Sequence, residues 1–145
     1  MTEVILVHGG SGDAREAAIA AAATAATAAD AAARAAGSAR SAPGAADSNS
    51  IRTVTAILEG LAGGSNALQE LEASAVMKVI RVAPGCPCCT GNLTMRITLN
   101  RVLRDKPALL FLSIADASHK ARVRAFLQDA QYREHLELGP ELDCS

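Results

Sequence analysis

Three of the four cysteines of this chain lie within four consecutive positions, in the sequence GCPCC at residues 85–89. Cys86, Cys88 and Cys89 share one tight turn, because Pro87 restricts the backbone between them. Thiolates clustered in this way can bind a transition metal, with Zn²⁺ the first candidate and Cu(I) or Co²⁺ also compatible. The alternative is a half-buried turn whose thiols serve only as small apolar side chains. The clustering favours a metal site, since disulfides between such near neighbours require strained geometry.

A fourth ligand is needed to complete such a site, because Zn²⁺ prefers four. Another side chain, a water or a partner can supply it, and an incomplete sphere of this kind suits metal delivery or exchange. His8 and His119 are candidates, since each follows a predicted strand and the carboxyl ends of parallel strands share one edge of a sheet. Either histidine can equally be a polar end group. Cys144, in the C-terminal tail, is a loose ligand or a free thiol.

The second candidate site is the glycine-rich turn after the first predicted strand. A phosphate-binding P-loop reads G-x-x-x-x-G-K-[ST], in which backbone N–H groups bind phosphates, Lys neutralises them and a hydroxyl binds Mg²⁺. Gly9 and Gly12 would line such a loop, and Arg15 stands at the lysine position. Ala14 and Glu16 replace the second glycine and the hydroxyl. Because Glu16 brings a carboxylate into an anion site, the sequence predicts a structural turn rather than nucleotide hydrolysis.

Composition and charge narrow the class of protein. The 145 residues suffice for one domain and are too few for two ordinary ones. A net charge of −1 predicts against nucleic acid or an anionic membrane as the main partner. With no basic region followed by a long apolar run at the N-terminus, we expect a reducing cytoplasm, where clustered thiols more often hold a metal.

Apolar strands alternate with helices along the chain, which predicts one α/β domain with a mainly parallel sheet, flanking helices and a P-loop NTPase-like arrangement. Asp13 is the predicted N-cap of an alanine-rich helix that is too weakly apolar to span a membrane. The predicted strands are 3–8, 53–58, 76–82 and 109–115, and the predicted helices are 14–36, 66–73, 92–104 and 118–128. We divide the chain into a degenerate P-loop unit (1–36), a low-complexity linker (37–50), the rest of the domain with the cysteine motif (51–130) and a tail (131–145).

A P-loop-like turn, a strand ending in GCPCC, a helix and an apolar strand together resemble the CobW family. That family consists of P-loop GTPases that serve as metallochaperones and carry a G-C-x-C-C motif after a strand, which Gly85, Cys86, Cys88 and Cys89 match. The resemblance is closest over residues 76–127. It implies GTPase ancestry, a transition metal at the cysteines, and a metalloprotein client or a full-length relative as partner.

Departures from the family pattern decide what the resemblance implies for activity. Arg15 and Glu16 replace the Lys and the hydroxyl residue, and Ser113 with Asp116 nearby stands where the family has an acidic residue for Mg²⁺. The sequence also stops before the guanine-specificity motif and the C-terminal domain. Three functions remain open: metal handling without GTP hydrolysis, a weak GTP-binding enzyme that uses Arg15, and an inactive interaction module that pairs with a full-length relative.

Overall fold

The computed structural model describes residues 2–37, 53–59, 67–73, 77–82, 93–115 and 117–145. The predicted linker therefore lies almost entirely outside the described residues. The elements in chain order are β1 (Thr2–His8), α1 (Gly12–Gly37), β2 (Val54–Glu59), α2 (Ala67–Ala73), β3 (Met77–Val82), α3 (Leu93–Arg104), β4 (Leu109–Ser113), a 3-10 turn (Ala117–His119), α4 (Lys120–Leu127), α5 (Ala130–Arg133), β5 (Leu136–Leu138) and β6 (Leu142–Asp143).

The six strands form one sheet in the order β3-β2-β4-β1-β5, with β6 also paired to β1. Every pairing is parallel. From β1 to β5 a helix lies between each strand and the next, as parallel pairing requires, whereas β6 follows β5 directly along the same side of β1. The prediction of a single α/β domain with a mainly parallel sheet is therefore confirmed, and the arrangement is compatible with a P-loop NTPase-like fold.

Helices cover both faces of the sheet. On one face Ile19 of α1 and Leu68 of α2 pack against a core that includes Phe111. On the other face Leu99 of α3 and Val123 of α4 pack against a second core cluster. All five residues of β4 are buried, as expected for a strand that is covered on both sides.

The predicted tail, residues 131–145, contributes two short strands to the sheet, which the sequence analysis did not predict. Short strands β5 and β6 pair in turn with the first and last residues of β1. Gly139 N donates to Val4 O between them, at 2.8 Å. This pairing satisfies backbone groups along the outer side of β1 that would otherwise form an open sheet edge.

The start of α1 differs from the predicted cap. Ala14 N donates to Ser11 Oγ at 3.1 Å, and Arg15 N donates to Ser11 O at 3.1 Å. Ser11 is therefore the N-cap, and the prediction of Asp13 was wrong, because the helix already begins at Gly12. Asp13 lies in the first turn, where its negative charge favours the helix. Across the described segments, α1 included, we find no helix with the length and hydropathy needed to cross a bilayer.

Candidate functional site at the carboxyl edge of the sheet

Strands β1 and β4 end side by side, and the glycine turn leaves β1 at this edge. Gly9 and Gly10 have φ values of +80° and +60°, which residues with a side chain rarely adopt. The two glycines allow the chain to reverse tightly between His8 and the start of α1. This edge of a parallel sheet is where ligands of α/β proteins are usually bound.

Arg15, which stands at the position of the phosphate-binding lysine, is bonded within the protein. Only 7% of the residue is exposed, and its Nε donates to Ser113 Oγ at 3.1 Å. Its Nη1 donates to Gly10 O at 2.9 Å and to Gly9 O at 3.3 Å. The guanidinium thus ties the glycine turn to the end of β4, and two of its nitrogen atoms are engaged without a ligand.

Glu16, at the position of the Mg²⁺-binding hydroxyl, forms an ion pair with Arg81. The Glu16 Oε1 and Arg81 Nη2 atoms are 2.7 Å apart, and the glutamate side chain is 5% exposed. The pair joins the start of α1 to the end of β3. A carboxylate buried to this degree requires such a partner, because desolvation without compensation is costly.

The C-terminal segment, residues 142–145, packs directly against the glycine turn. Cys144 N donates to His8 O at 2.8 Å. A Cβ atom added at Gly9 would lie 2.8 Å from Asp143 Oδ1, and one added at Gly10 would lie 2.4 Å from Cys144 O. The space beside both glycines is therefore already filled by the protein's own chain.

His8, one candidate for the fourth metal ligand, lies against a carboxylate cluster. The residue is 6% exposed, its Nε2 is 3.3 Å from Glu141 Oε2, and its Nδ1 is 4.0 Å from Asp143 Oδ1. Glu141 also contacts Lys120 Nζ at 3.2 Å and accepts a hydrogen bond from Arg124 Nη1. These contacts anchor the residues before the C-terminal segment to α4 and to the end of β1.

The carboxylates of this cluster have lowered pKa values. Burial alone would raise the pKa of Glu141, but the hydrogen bond and charge of Lys120, the charge of Arg124 and the contact with His8 outweigh it. Hydrogen bonds from the side chain and backbone of Ser145 lower the pKa of Asp143. Burial raises the pKa of Cys144, which disfavours the thiolate that a metal would require.

Cys86, Cys88, Cys89 and Asp116 lie outside the described residues, so the cysteine site and any role of Asp116 stay predictions. Within the described ranges, no group of three or more His, Cys, Asp or Glu side chains is placed to hold a metal ion. His119 is half-buried in the 3-10 turn before α4.

Sequence reasoning missed the partners that occupy this edge. Ser113 and Arg81 lie 98 and 65 positions away from Arg15 and Glu16, respectively. Glu141 lies in the predicted tail, residues 131–145. The sequence does contain one indication of such partners. Arg15 and Glu16 are consecutive charged residues near the start of a helix that packs on a sheet, and a charged side chain that becomes buried there needs a partner.

The fold and this edge define an α/β domain with a glycine turn between β1 and α1, in which Arg15 and Glu16 are bonded within the chain. Comparisons with protein-family models, curated proteins and solved structures find no significant match. The resemblance to the CobW family therefore still rests on the motifs of the sequence.

Proposed function

We propose that the protein binds Zn²⁺ or a similar transition metal through Cys86, Cys88 and Cys89, and that it handles or delivers this metal as a CobW-like domain without GTP hydrolysis. One observation carries the proposal: β3 runs parallel to β2 and ends at Val82 on the carboxyl edge of the sheet. Arg81 is bonded there to Glu16 of α1. Strand β3 therefore ends at the edge of the sheet that is favoured for ligands, which supports a binding role for the sequence that follows it.

The chemistry of the cysteine set suits a metal that must be released. Coordination requires thiolates and lowers the thiol pKa from its usual value near 8.5, so binding releases protons and weakens in acid. Three thiolates leave one position of a tetrahedral site for an exchangeable group. A client protein can enter at that position and take the metal.

The contacts of Arg15 and Glu16 support the absence of hydrolysis in this proposal. A phosphate would have to compete with the carbonyl oxygens of Gly9 and Gly10 for the Nη1 atom of Arg15. Mg²⁺ would have to separate Glu16 from Arg81. Both changes would disrupt interactions that hold the turn, so we expect no productive binding of GTP and Mg²⁺.

The experiment compares metal content and metal affinity of anaerobically purified proteins. The wild type, a Cys86→Ser/Cys88→Ser/Cys89→Ser variant and a Cys144→Ser control are loaded with Zn²⁺, and with Co²⁺ to give a thiolate absorption band. We expect stoichiometric metal in the wild type and in the control, and loss of both metal and band in the triple variant. Equal metal binding by the wild type and the triple variant would refute the cysteine site.

The same proteins are then titrated with GTP and Mg²⁺. We expect no change in Zn²⁺ affinity and no nucleotide binding. A nucleotide affinity that depends on Arg15, or a Zn²⁺ affinity that changes with GTP, would favour the weak GTP-binding enzyme. If neither the wild type nor the triple variant holds metal, the interaction module that pairs with a full-length relative becomes the leading function.

A further inference from the structure

A cavity lies at the amino edge of the sheet, opposite the glycine turn. Its volume is about 420 Å³, and it lies between the end of α3 and the segment from α5 to β5. The cavity borders the start of β1, because the Thr2 N–H donates to the carbonyl oxygen of His135, one of the lining residues, at 3.1 Å. This amino-edge cavity has six polar or aromatic lining residues, Asn100, Arg104, Lys106, Gln131, Tyr132 and His135. The apolar side chain of Leu103 also lines it.

The charged side chains of the amino-edge cavity are all basic. They belong to Arg104 and Lys106, the imidazole of His135 also lines the cavity, and no carboxylate is among the described residues that line it. Within the described part of the chain, these three side chains make no hydrogen bond or ion pair. Lys78, by contrast, lies 3.8 Å from Asp105 on the other side of the same loop. The cavity thus gathers positive charge that the described protein does not neutralise.

Part of this charge has a local explanation. A cation in the last turn of a helix interacts favourably with the helix dipole, which accounts for Arg104 at the end of α3. Lys106 lies beyond the helix, and its φ of +50° places it in the left-handed region, where glycine is the unstrained residue. A lysine at this position, where its N–H donates to Leu103 O just after the end of α3, is therefore less stable than a glycine would be.

We propose that the amino-edge cavity binds a small organic anion carrying a carboxylate or phosphate group. Arg104 can form two parallel hydrogen bonds to such a group, and Lys106 adds a compact charge. The amides of Asn100 and Gln131 can bond to polar atoms of the organic part, which the ring of Tyr132 contacts. The volume lies within the range of small-molecule sites and exceeds the needs of a bare inorganic anion.

Calorimetric titrations with citrate and with glycerol 3-phosphate test this site, and they separate a carboxylate from a phosphate ligand. Glycerol and NaCl at matched ionic strength are the controls for the organic part and for non-specific salt effects. We expect saturable binding of at least one anion to the wild type and about tenfold weaker binding to Arg104→Gln, because a charge-assisted hydrogen bond is lost. Arg101→Gln, on the same helix but not among the residues lining the cavity, should bind as the wild type does.

Lys106→Gly separates a binding role from a structural one. Glycine relieves the backbone conformation, so this variant should melt at a higher temperature than the wild type without anion, yet bind the anion more weakly. Failure of both anions to bind beyond the NaCl control would overturn the proposal, as would equal weakening in Arg104→Gln and Arg101→Gln. The triple cysteine variant should keep its anion affinity, so this result is independent of the metal site.

Discussion

At the carboxyl end of the sheet the buried polar side chains are paired within the chain, whereas the basic side chains of the amino-edge cavity are not. Arg15 bonds to Ser113 and to the glycine turn, and Glu16 bonds to Arg81. Arg104 and Lys106, at the other end, have no such partner among the described residues. The charges at the carboxyl end therefore stabilise the fold, whereas those at the amino end can contact a ligand.

This difference helps to distinguish charged residues that stabilise the fold from charged residues that can bind a ligand. A buried charge without a partner costs several kcal/mol of stability, so a charge that enters the core must be paired whether or not it has a function. An exposed charge carries no such requirement. The stability of the fold is thus sufficient to explain why Arg15 and Glu16 each have a partner within the chain. The same positions bind phosphate and Mg²⁺ in a P-loop.

The largest expected effect comes from breaking the ion pair at the carboxyl end. Arg81→Met leaves the Glu16 carboxylate buried without its partner, and we expect the free energy of unfolding in urea to fall by about 3 kcal/mol. The double variant Glu16→Gln/Arg81→Met should recover most of this loss, because the amide is far cheaper to bury than a carboxylate. If Arg81→Met has the same free energy of unfolding as the wild type, the ion pair does not stabilise the fold. The contrast between the two ends of the sheet would then lose its main support.

A smaller effect is expected from the glycine turn. Gly10→Ala forces a side chain into the left-handed region and into the carbonyl oxygen of Cys144, so we expect about 2 kcal/mol of destabilisation. The Cys144 amide should also exchange with solvent faster, since its bond to His8 O would be displaced. Gly12→Ala is the matched control: its nearest neighbour atom is 3.8 Å away, and its stability should equal or exceed that of the wild type. Equal exchange rates in the two variants would show that the C-terminal segment does not rest on the turn.

The smallest effect concerns the pH dependence of stability. The pKa of Glu141 is lowered in the fold from its ordinary value of 4.5, so its contribution is fully present above pH 4.5 and is lost as the pH falls through the folded value. Because the side chain is partly exposed, we expect Glu141→Gln to cost about 0.5–1 kcal/mol at neutral pH and less at pH 3. Urea unfolding at both pH values measures this. A loss that is the same at both would assign the effect to packing rather than to charge.

Patterns that lie within a short stretch of sequence predicted most of the fold. Strands β1 to β4 and helices α1 to α3 begin and end within a few residues of the predicted limits, because apolar runs and helical periodicity are local signals. The buried run Leu109–Ser113 also identified a strand covered on both faces. These features needed no knowledge of which strands would pair.

Features that depend on distant partners were not predictable in the same way. Strands β5 and β6 have three and two residues and become strands only because β1 offers them an edge. The role of Arg15 could not be read from the loop motif, since it depends on Ser113 at the end of another strand. The motif identified where the charge would lie but not what would neutralise it.

The pairing of β1 has a consequence for synthesis on the ribosome. All of its strand partners come from later in the chain, beginning with Leu109 of β4. Strand β1 is therefore synthesised before these partners, and it must remain unpaired until β4 has been translated. Nascent chains of this topology expose an aggregation-prone segment for a long time, and they depend on co-translational chaperones more than a chain whose first two strands pair with each other.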